Sequence, residues 1–456
     1  MSTIVSTSPQ HPGDVVGEWP DEGAAGIEKA IERARSAAAG WRARTAHERG
    51  AVLDAAAERI GERAGELADL MVREVGKPLS EARGEVARTQ AILRFYAQAA
   101  LDPEGDVLPP SSAGALLYTR RRPRGVVGLI TPWNFPLAIP AWKLAPALAY
   151  GNVVVLKPSP MATAGAFALA SLFDVDDGVV QVVPGGAEAG KRLASGGGAD
   201  AVSFTGSVAV GRSVARAAAE AAIPAQAEMG GQNAAIVLGD ADLASAAQAI
   251  AGAAMGYAGQ KCTATRRVIA VGDAGNVTDA LVGAVRALGF GDPADAATLV
   301  GPVITDEARG RIRAAVETAR AAGGSIIDEA DVPDAGWYVP PTIVTGLSEG
   351  DELVREEVFG PVTAVLQARD VDDAVRIANG TRYGLAAAVY TRDLGLALEI
   401  ANRLDVGMVR VNGPTTGVDF HAPFGGEKAS SIGPREQGRA AREFYTSTTT
   451  VTVFPP

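Results

Sequence analysis

Two observations predict an α/β fold built on parallel sheets covered on both faces. Short runs that are apolar at every position, rich in Val, recur from about residue 124, and alanine-rich helical stretches separate several of them. At 456 residues the chain is also long enough for two domains with an appendage. Taken in order, residues 21 to 100 read as helices, because Ala, Glu and Arg dominate and Val52, Ala56, Ile60, Leu67 and Met71 recur at helical spacing. "GKP" at 76–78 breaks that run. Strands follow at "GVVGLI", "NVVVLK", "VVQVVPG", "AVSFTG" and "AQAEMG", with helices at "MATAGAFALASLF" and "VAVGRSVARAAAEAA" between them. A second α/β set lies beyond residue 262: helices at "RGRIRAAVETARAAG", "DAVRIANG" and "LALEIANRL", strands at "AAAVYT" and "GMVRVN". The tail "EFYTSTTTVTVFPP" alternates Thr with Val and aromatics, a β pattern. An exposed strand at a chain end seeks a partner strand, which predicts a homo-oligomer, dimer or tetramer.

Composition narrows the function classes. The net charge of -11 argues against nucleic acid and anionic membrane as partners, since both reward a basic surface. No apolar run reaches the length of a membrane span, and the first twenty residues lack the basic head and apolar core of a signal peptide. A single cysteine cannot form an internal disulfide, so the expected location is the cytoplasm. One Cys and three His argue against a structural zinc site, and no metal is expected.

That cysteine, Cys262, stands in "GYAGQKCTAT" among glycines and small hydroxyl residues. Taken alone it reads by default as a small buried hydrophobe, with a reactive thiol as the alternative. "VSFTGSVAVGRSV" is an apolar strand, a turn at Gly206 and Ser207, then a helix: a phosphate site or an ordinary strand-to-helix turn with Ser as its cap. Lys157 ends another strand, at the carboxyl edge where open α/β sheets bind ligands. Two prolines make a rigid turn around Trp133, Asn134 and Phe135, and an Asn so held can donate to a developing oxyanion. Glu228 ends an apolar run before a Gly pair, where desolvation raises a carboxyl pKa as a general base needs.

In order, the chain offers "PWNFP", "KPS", "FTGS", "EMGG", "GQKC", "EEVFGP" and "PFGGEK". This series resembles the aldehyde dehydrogenase superfamily over nearly the whole length. The resemblance implies a Rossmann-type cofactor domain (1–104 and 125–230), an α/β catalytic domain (231–439) and a small β oligomerisation arm (105–124 and 440–456). It implies an NAD or NADP cofactor and an aldehyde substrate. Cys262 falls on the nucleophile, held as a thiolate, Glu228 on the general base and Asn134 on the oxyanion donor. Trp133, Lys157, Ser159, Gly206, Ser207, Gly230, Glu357 and Phe359 fall on cofactor contacts, and Phe135, Trp142 and Phe424 on walls of the substrate tunnel.

Three departures qualify the resemblance. Many NAD-preferring members carry Glu three residues after the "KPS" lysine, where this chain has Pro160. With Lys157 facing a 2′-phosphate unopposed, NADP is expected to be accepted or preferred. The lysine usual after the Gly pair is Gln232. "SSIGPREQG" replaces the common ending, and this tail looks like that of α-ketoglutarate semialdehyde (2,5-dioxovalerate) dehydrogenases, with benzaldehyde-like and succinate semialdehydes as rival substrates. Glu436 in that stretch reads as a proton exit or as a surface acid. Two further readings compete. Glu228 argues against CoA as the acyl acceptor, since a water-activating base is superfluous there. The joint presence of Cys262, Asn134, Glu228 and Glu357 argues against a catalytically silent scaffold relative.

Overall fold

Two sheets organise the chain, of which the computed structural model describes residues 2–195, 197–328 and 330–455. In the first sheet the order is Ser431–Ile432, Ala225–Glu228, Ala201–Thr205, Val126–Ile130, Val153–Lys157, Val180–Val182. All its pairings are parallel except that of the short Ser431–Ile432 edge strand. The second runs Ser325–Ile327, Thr342–Thr345, Val362–Ala368, Thr265–Val271, Asn233–Val237, Ala386–Tyr390, Met408–Val411, and only its first strand is antiparallel. Every residue of Val126–Ile130, Val153–Lys157 and Asn233–Val237 is buried, which is why these segments read as unbroken apolar runs. Helices Gly23–Ala43, Ala138–Ala149 and Ala187–Ala194 pack on the first sheet, and Leu243–Met255, Ala274–Arg286 and Val371–Asn379 on the second.

The helical region resolves into Gly23–Ala43, Ala46–Glu62, Ala64–Val75 and Leu79–Ala99. Thr45 and Glu48 form a reciprocal cap at the start of the second helix. Gly76, at φ 64°, ends the third in the left-handed region, so "GKP" is the break expected. The first twenty residues carry structure the sequence did not announce. Thr3–Thr7 and Val15–Pro20 pair antiparallel, burying Ile4 and Ser6 on one face. The buried face carries Ser6 and the exposed face Val5, which hides the period-2 signal.

A third, small sheet joins the chain's two outlying β segments. Thr446–Val453 pairs antiparallel with Leu116–Pro123 along its whole length, and Val107–Leu108 adds on the far side. Among the described residues the outer edge of Thr446–Val453 has no strand beside it. No helix among them is long and apolar enough to cross a membrane.

Asn152 locks this small sheet to the first large one. Fully buried, it accepts from Gly125 N–H (3.0 Å) and donates to the Ala147 and Tyr445 carbonyls (3.1 and 3.0 Å). Asn152→Ala removes the acceptor for Gly125 N–H and the side-chain donor to both carbonyls, which keep only their backbone partners, and is expected to lower unfolding free energy by about 1 to 3 kcal/mol. A chemical-denaturation midpoint unchanged from the parent protein would contradict this role.

Candidate active site

The first sheet's carboxyl edge meets the second sheet where Glu228 leads through Gly230 and Gly231 into Asn233–Val237. Cys262 lies just before Thr265–Val271 and is partly accessible. It is presented by a strained turn: Tyr257, Ala258 and Gly259 have φ of 55°, 50° and 63°. Left-handed backbone costs a non-glycine residue about 1 to 2 kcal/mol, so the surroundings must hold the turn. Tyr257 Oη donates to the Val75 carbonyl (3.2 Å), and the Gln260 side chain donates to Pro302 O (3.2 Å) and accepts from Ile304 N–H (2.9 Å). The Arg266 guanidinium donates to the Gly259 and Gly360 carbonyls. A Cβ on Gly259 would strike the Gly360 carbonyl oxygen, so both its φ and this close approach require glycine.

Asn134 and Glu228 both lie beside the Cys262 segment, and a buried ion pair stands behind each. Asn134 Nδ2 donates to the Gln260 carbonyl (2.9 Å), two residues before Cys262, and retains a second amide hydrogen. Lys77 Nζ donates to the Asn134 carbonyl (2.7 Å), sits 3.8 Å over the Phe135 ring and pairs with Glu85. Glu85 Oε1 in turn accepts from Leu137 and Ala138 N–H, both at 2.9 Å, pinning the "PWNFP" turn from both sides. Glu228 Oε2 accepts from the Ser431 hydroxyl (2.5 Å), which the antiparallel edge strand carries in, while Oε1 is buried with no partner. Burial drives the Glu228 carboxyl well above the usual carboxylate range, helped by the charge of Glu436 and opposed by Ser431. Glu436 is buried and paired with Lys143, which also donates to Ser203 (2.7 Å), so it is not a surface acid. Beside Cys262 a third pair, Lys261 with Glu81, closes the set.

The thiol is not held ionised, as the sequence led us to expect. Burial pushes Cys262 up to about 12, and the charges of Glu357 and Glu228 add to it; only the backbone N–H groups of Cys262 and Thr263 draw it down. Phe135, Trp142 and Phe424 line, with Cys262 and Thr263, a cavity of about 390 Å³. The Trp142 and Phe424 rings lie 5.6 Å apart.

The other side of the cleft carries the residues expected to hold a dinucleotide. Glu357 Oε1 accepts from Gly231 N–H (3.2 Å), and a Cβ on Gly230 would collide with its carboxylate. Burial pushes the Glu357 carboxyl to about 7, against the pull of nearby Arg266. Phe359, itself at φ 55°, meets the Trp133 ring edge-on at 5.8 Å. Gly206, whose N–H donates to the Glu228 carbonyl (3.0 Å), and Ser207 lead into helix Val208–Glu220. Ser207 stands at the cap position, yet its hydroxyl makes no capping bond and is exposed, leaving that helix start open. Ser159 is engaged differently, accepting weakly from Met161 N–H (3.4 Å). Lys157 donates to the Pro158 and Gly185 carbonyls (2.7 and 2.9 Å); burial lowers it to about 8, and the charge of Asp21 acts against that shift. It is therefore not unopposed. Gln232 donates to the Leu353 carbonyl (2.8 Å), away from Cys262. An open helix start, a buried lysine, aromatic faces and a cleft carboxylate fit a phosphate- and ribose-bearing cofactor.

Sequence reasoning missed the ion pairs. Lys77 lies in "GKP", noticed only as a break, and Ser431 in "SSIGPREQG", noticed only as a departure. With the thiol at about 12, the thiolate fraction near neutrality is small and rises about tenfold per pH unit. Alkylation of Cys262 by iodoacetamide in the cofactor-free protein, followed by mass spectrometry, is accordingly expected to accelerate without a plateau from pH 7 to 10. A plateau near pH 8.5, the value of an ordinary thiol, would contradict the desolvated site.

Comparison with known proteins shows the family. Residues 2–451 match the model of the Aldehyde dehydrogenase family. The alpha-ketoglutaric semialdehyde dehydrogenase of Bacillus subtilis is 38% identical over 98% of this chain and 94% of its own. An NAD-dependent aldehyde dehydrogenase from Sinorhizobium meliloti superposes with a TM-score of 0.96 at 35% identity, covering 99% of this chain and 92% of that one. Betaine aldehyde dehydrogenase from Staphylococcus aureus, solved with NAD+, gives 0.95 at 31% identity, covering 99% and 92%. With an accessible thiol, a buried carboxyl and a side-chain amide gathered at one cleft, and this likeness running end to end, the chain belongs to the aldehyde dehydrogenase family and oxidises aldehydes to acids with NAD or NADP.

Proposed function

We propose that the chain oxidises an aldehyde bearing a distal carboxylate, of the α-ketoglutarate semialdehyde type, through a thioester on Cys262. The catalytic assignment rests on one observation: Cys262 lines an aromatic-walled cavity, the Asn134 amide is bonded to the carbonyl two residues before it, and the charge of Glu228 acts on its thiol. The substrate class rests on the relatives and on the tail motif. Cys262 passes its proton to solvent water in the cavity, its sulfur bonds to the carbonyl carbon, and the carbonyl π electrons move to oxygen. The resulting oxyanion accepts from the free amide hydrogen of Asn134 and from Cys262 N–H; losing one such donor costs about 3 to 4 kcal/mol of barrier. When bound, the nicotinamide supplies the acceptor for the hydride that leaves this carbon. A thioester remains on Cys262. Glu228, a strong base because it is desolvated, takes a proton from water as the hydroxide oxygen bonds to the acyl carbon, and the thiolate departs. Ser431 fixes the base in place, and Glu436 with Lys143 offers its proton a route away through buried groups.

Lys157, Ser159, Gly206 and Ser207 would hold the adenosine and pyrophosphate part, with Trp133, Gly230, Glu357 and Phe359 around the nicotinamide ribose. The division into a cofactor domain (1–104 and 125–230), a catalytic domain (231–439) and an arm (105–124 and 440–456) accords with the three sheets. Ser431–Ile432 is the exception, since it joins the first sheet from the catalytic segment. The open edge of Thr446–Val453 supports assembly into a homo-oligomer, and a lone cysteine suits the cytoplasm.

Cys262→Ala is expected to abolish oxidation while binding NAD as before; wild-type turnover by that protein would refute the reading. Glu228→Gln should form its thioester and then stall, giving a burst of reduced cofactor and a steady rate lower by about 10² to 10⁴; an unchanged steady rate would remove Glu228 from the mechanism. Pro160 carries no charge against a 2′-phosphate, and Asp21 retains some. NADP is therefore expected to support turnover alongside NAD, and kcat/KM with each cofactor checks this.

A further inference from the structure

The cavity that reaches Cys262 is lined by charged side chains as well as aromatic ones: Glu81, Glu85, Arg88 and Lys261. Three of them are satisfied. Glu81 pairs with Lys261, and Glu85 with Lys77. Arg88, on helix Leu79–Ala99, is partly exposed at this wall. Among the described residues it makes no hydrogen bond and no ion pair, and its charge acts only at a distance, on Glu81. The cavity thus has balanced ions near the thiol and one uncompensated cation. The Ser80 and Thr416 hydroxyls lie on the same lining.

From this we infer that Arg88 is the specificity-determining residue of the cavity: its guanidinium receives the distal carboxylate of the substrate while the aldehyde carbon reaches Cys262. A planar guanidinium matches a carboxylate bidentately and is weakly hydrated, so it binds well in a partly dry pocket. The inference rests on the proposed substrate class and supplies the contact that enforces it. Uncharged aldehydes of equal length would leave Arg88 unpaired, which is how the cavity discriminates.

The experiment compares kcat/KM for α-ketoglutarate semialdehyde and for pentanal, an uncharged five-carbon aldehyde, in the full-length enzyme and in Arg88→Gln and Arg88→Lys. A charge-assisted contact of this kind is worth a factor of about 10 to 100. The ratio of the two kcat/KM values is expected to fall by that factor in Arg88→Gln, through KM for the carboxylated substrate, with Arg88→Lys in between. The KM of the parent enzyme for the semialdehyde should also rise with salt, and that of Arg88→Gln should stay flat. A parent enzyme with no preference for the carboxylated aldehyde would overturn the substrate class itself. A preference that survives Arg88→Gln would overturn the role of Arg88 and leave the substrate class standing. Equal losses on both aldehydes would show a structural role and also overturn it.

Discussion

Behind each residue proposed to do chemistry stands an ion pair, fully buried in two of the three cases. Lys77 with Glu85 backs Asn134, Lys143 with Glu436 backs Glu228, and Lys261 with Glu81 flanks Cys262. Such pairs contribute little net stability, because desolvating two charges offsets their attraction. Their value lies in geometry. Lys77 grips a backbone carbonyl and Glu85 two backbone N–H groups of one proline-bounded turn, so the amide of Asn134 has almost no freedom left. The pairs cancel each other's charge locally, so the charged groups nearest the thiol are balanced, and Arg88 is the cation of the lining left without a partner among the described residues.

That dryness sets the acid–base character of the site. One cause, burial, moves the Cys262 thiol, the Glu228 carboxyl and the Glu357 carboxyl upward, and the neighbouring negative charges reinforce it for the first two. A thiol desolvated in this way carries little thiolate near neutrality. The strain in residues 257–259 belongs to the same design. Three successive left-handed residues turn the chain so that Cys262 faces the cleft, and hydrogen bonds from Tyr257, Gln260 and Arg266 hold them there.

The two sheets give these groups a common address. A parallel sheet gathers the carboxyl ends of its strands along one edge, and Thr205, Glu228 and the turn after Ile130 all lie on that edge. The short Ser431–Ile432 strand then crosses from the far part of the chain to pair with Ala225–Glu228. Without that crossing Glu228 would lack the Ser431 hydroxyl, and Glu436 would lie far from Lys143.

The sequence alone determined the α/β class, the strand and helix pattern and the family, because those depend on runs of like residues and on long local motifs. Apolar segments such as "NVVVLK" can be buried only on both faces, and "GKP" can only end a helix. It did not determine the N-terminal hairpin, where a buried Ser6 and an exposed Val5 mask the period, or the protonation of Cys262. Nor did it reveal which cations pair with which acids. Lys143 and Glu436 are 293 residues apart, and Lys261 and Glu81 are 180 apart. Desolvation and ion pairing are properties of the space around a side chain, and only the folded chain supplies that space.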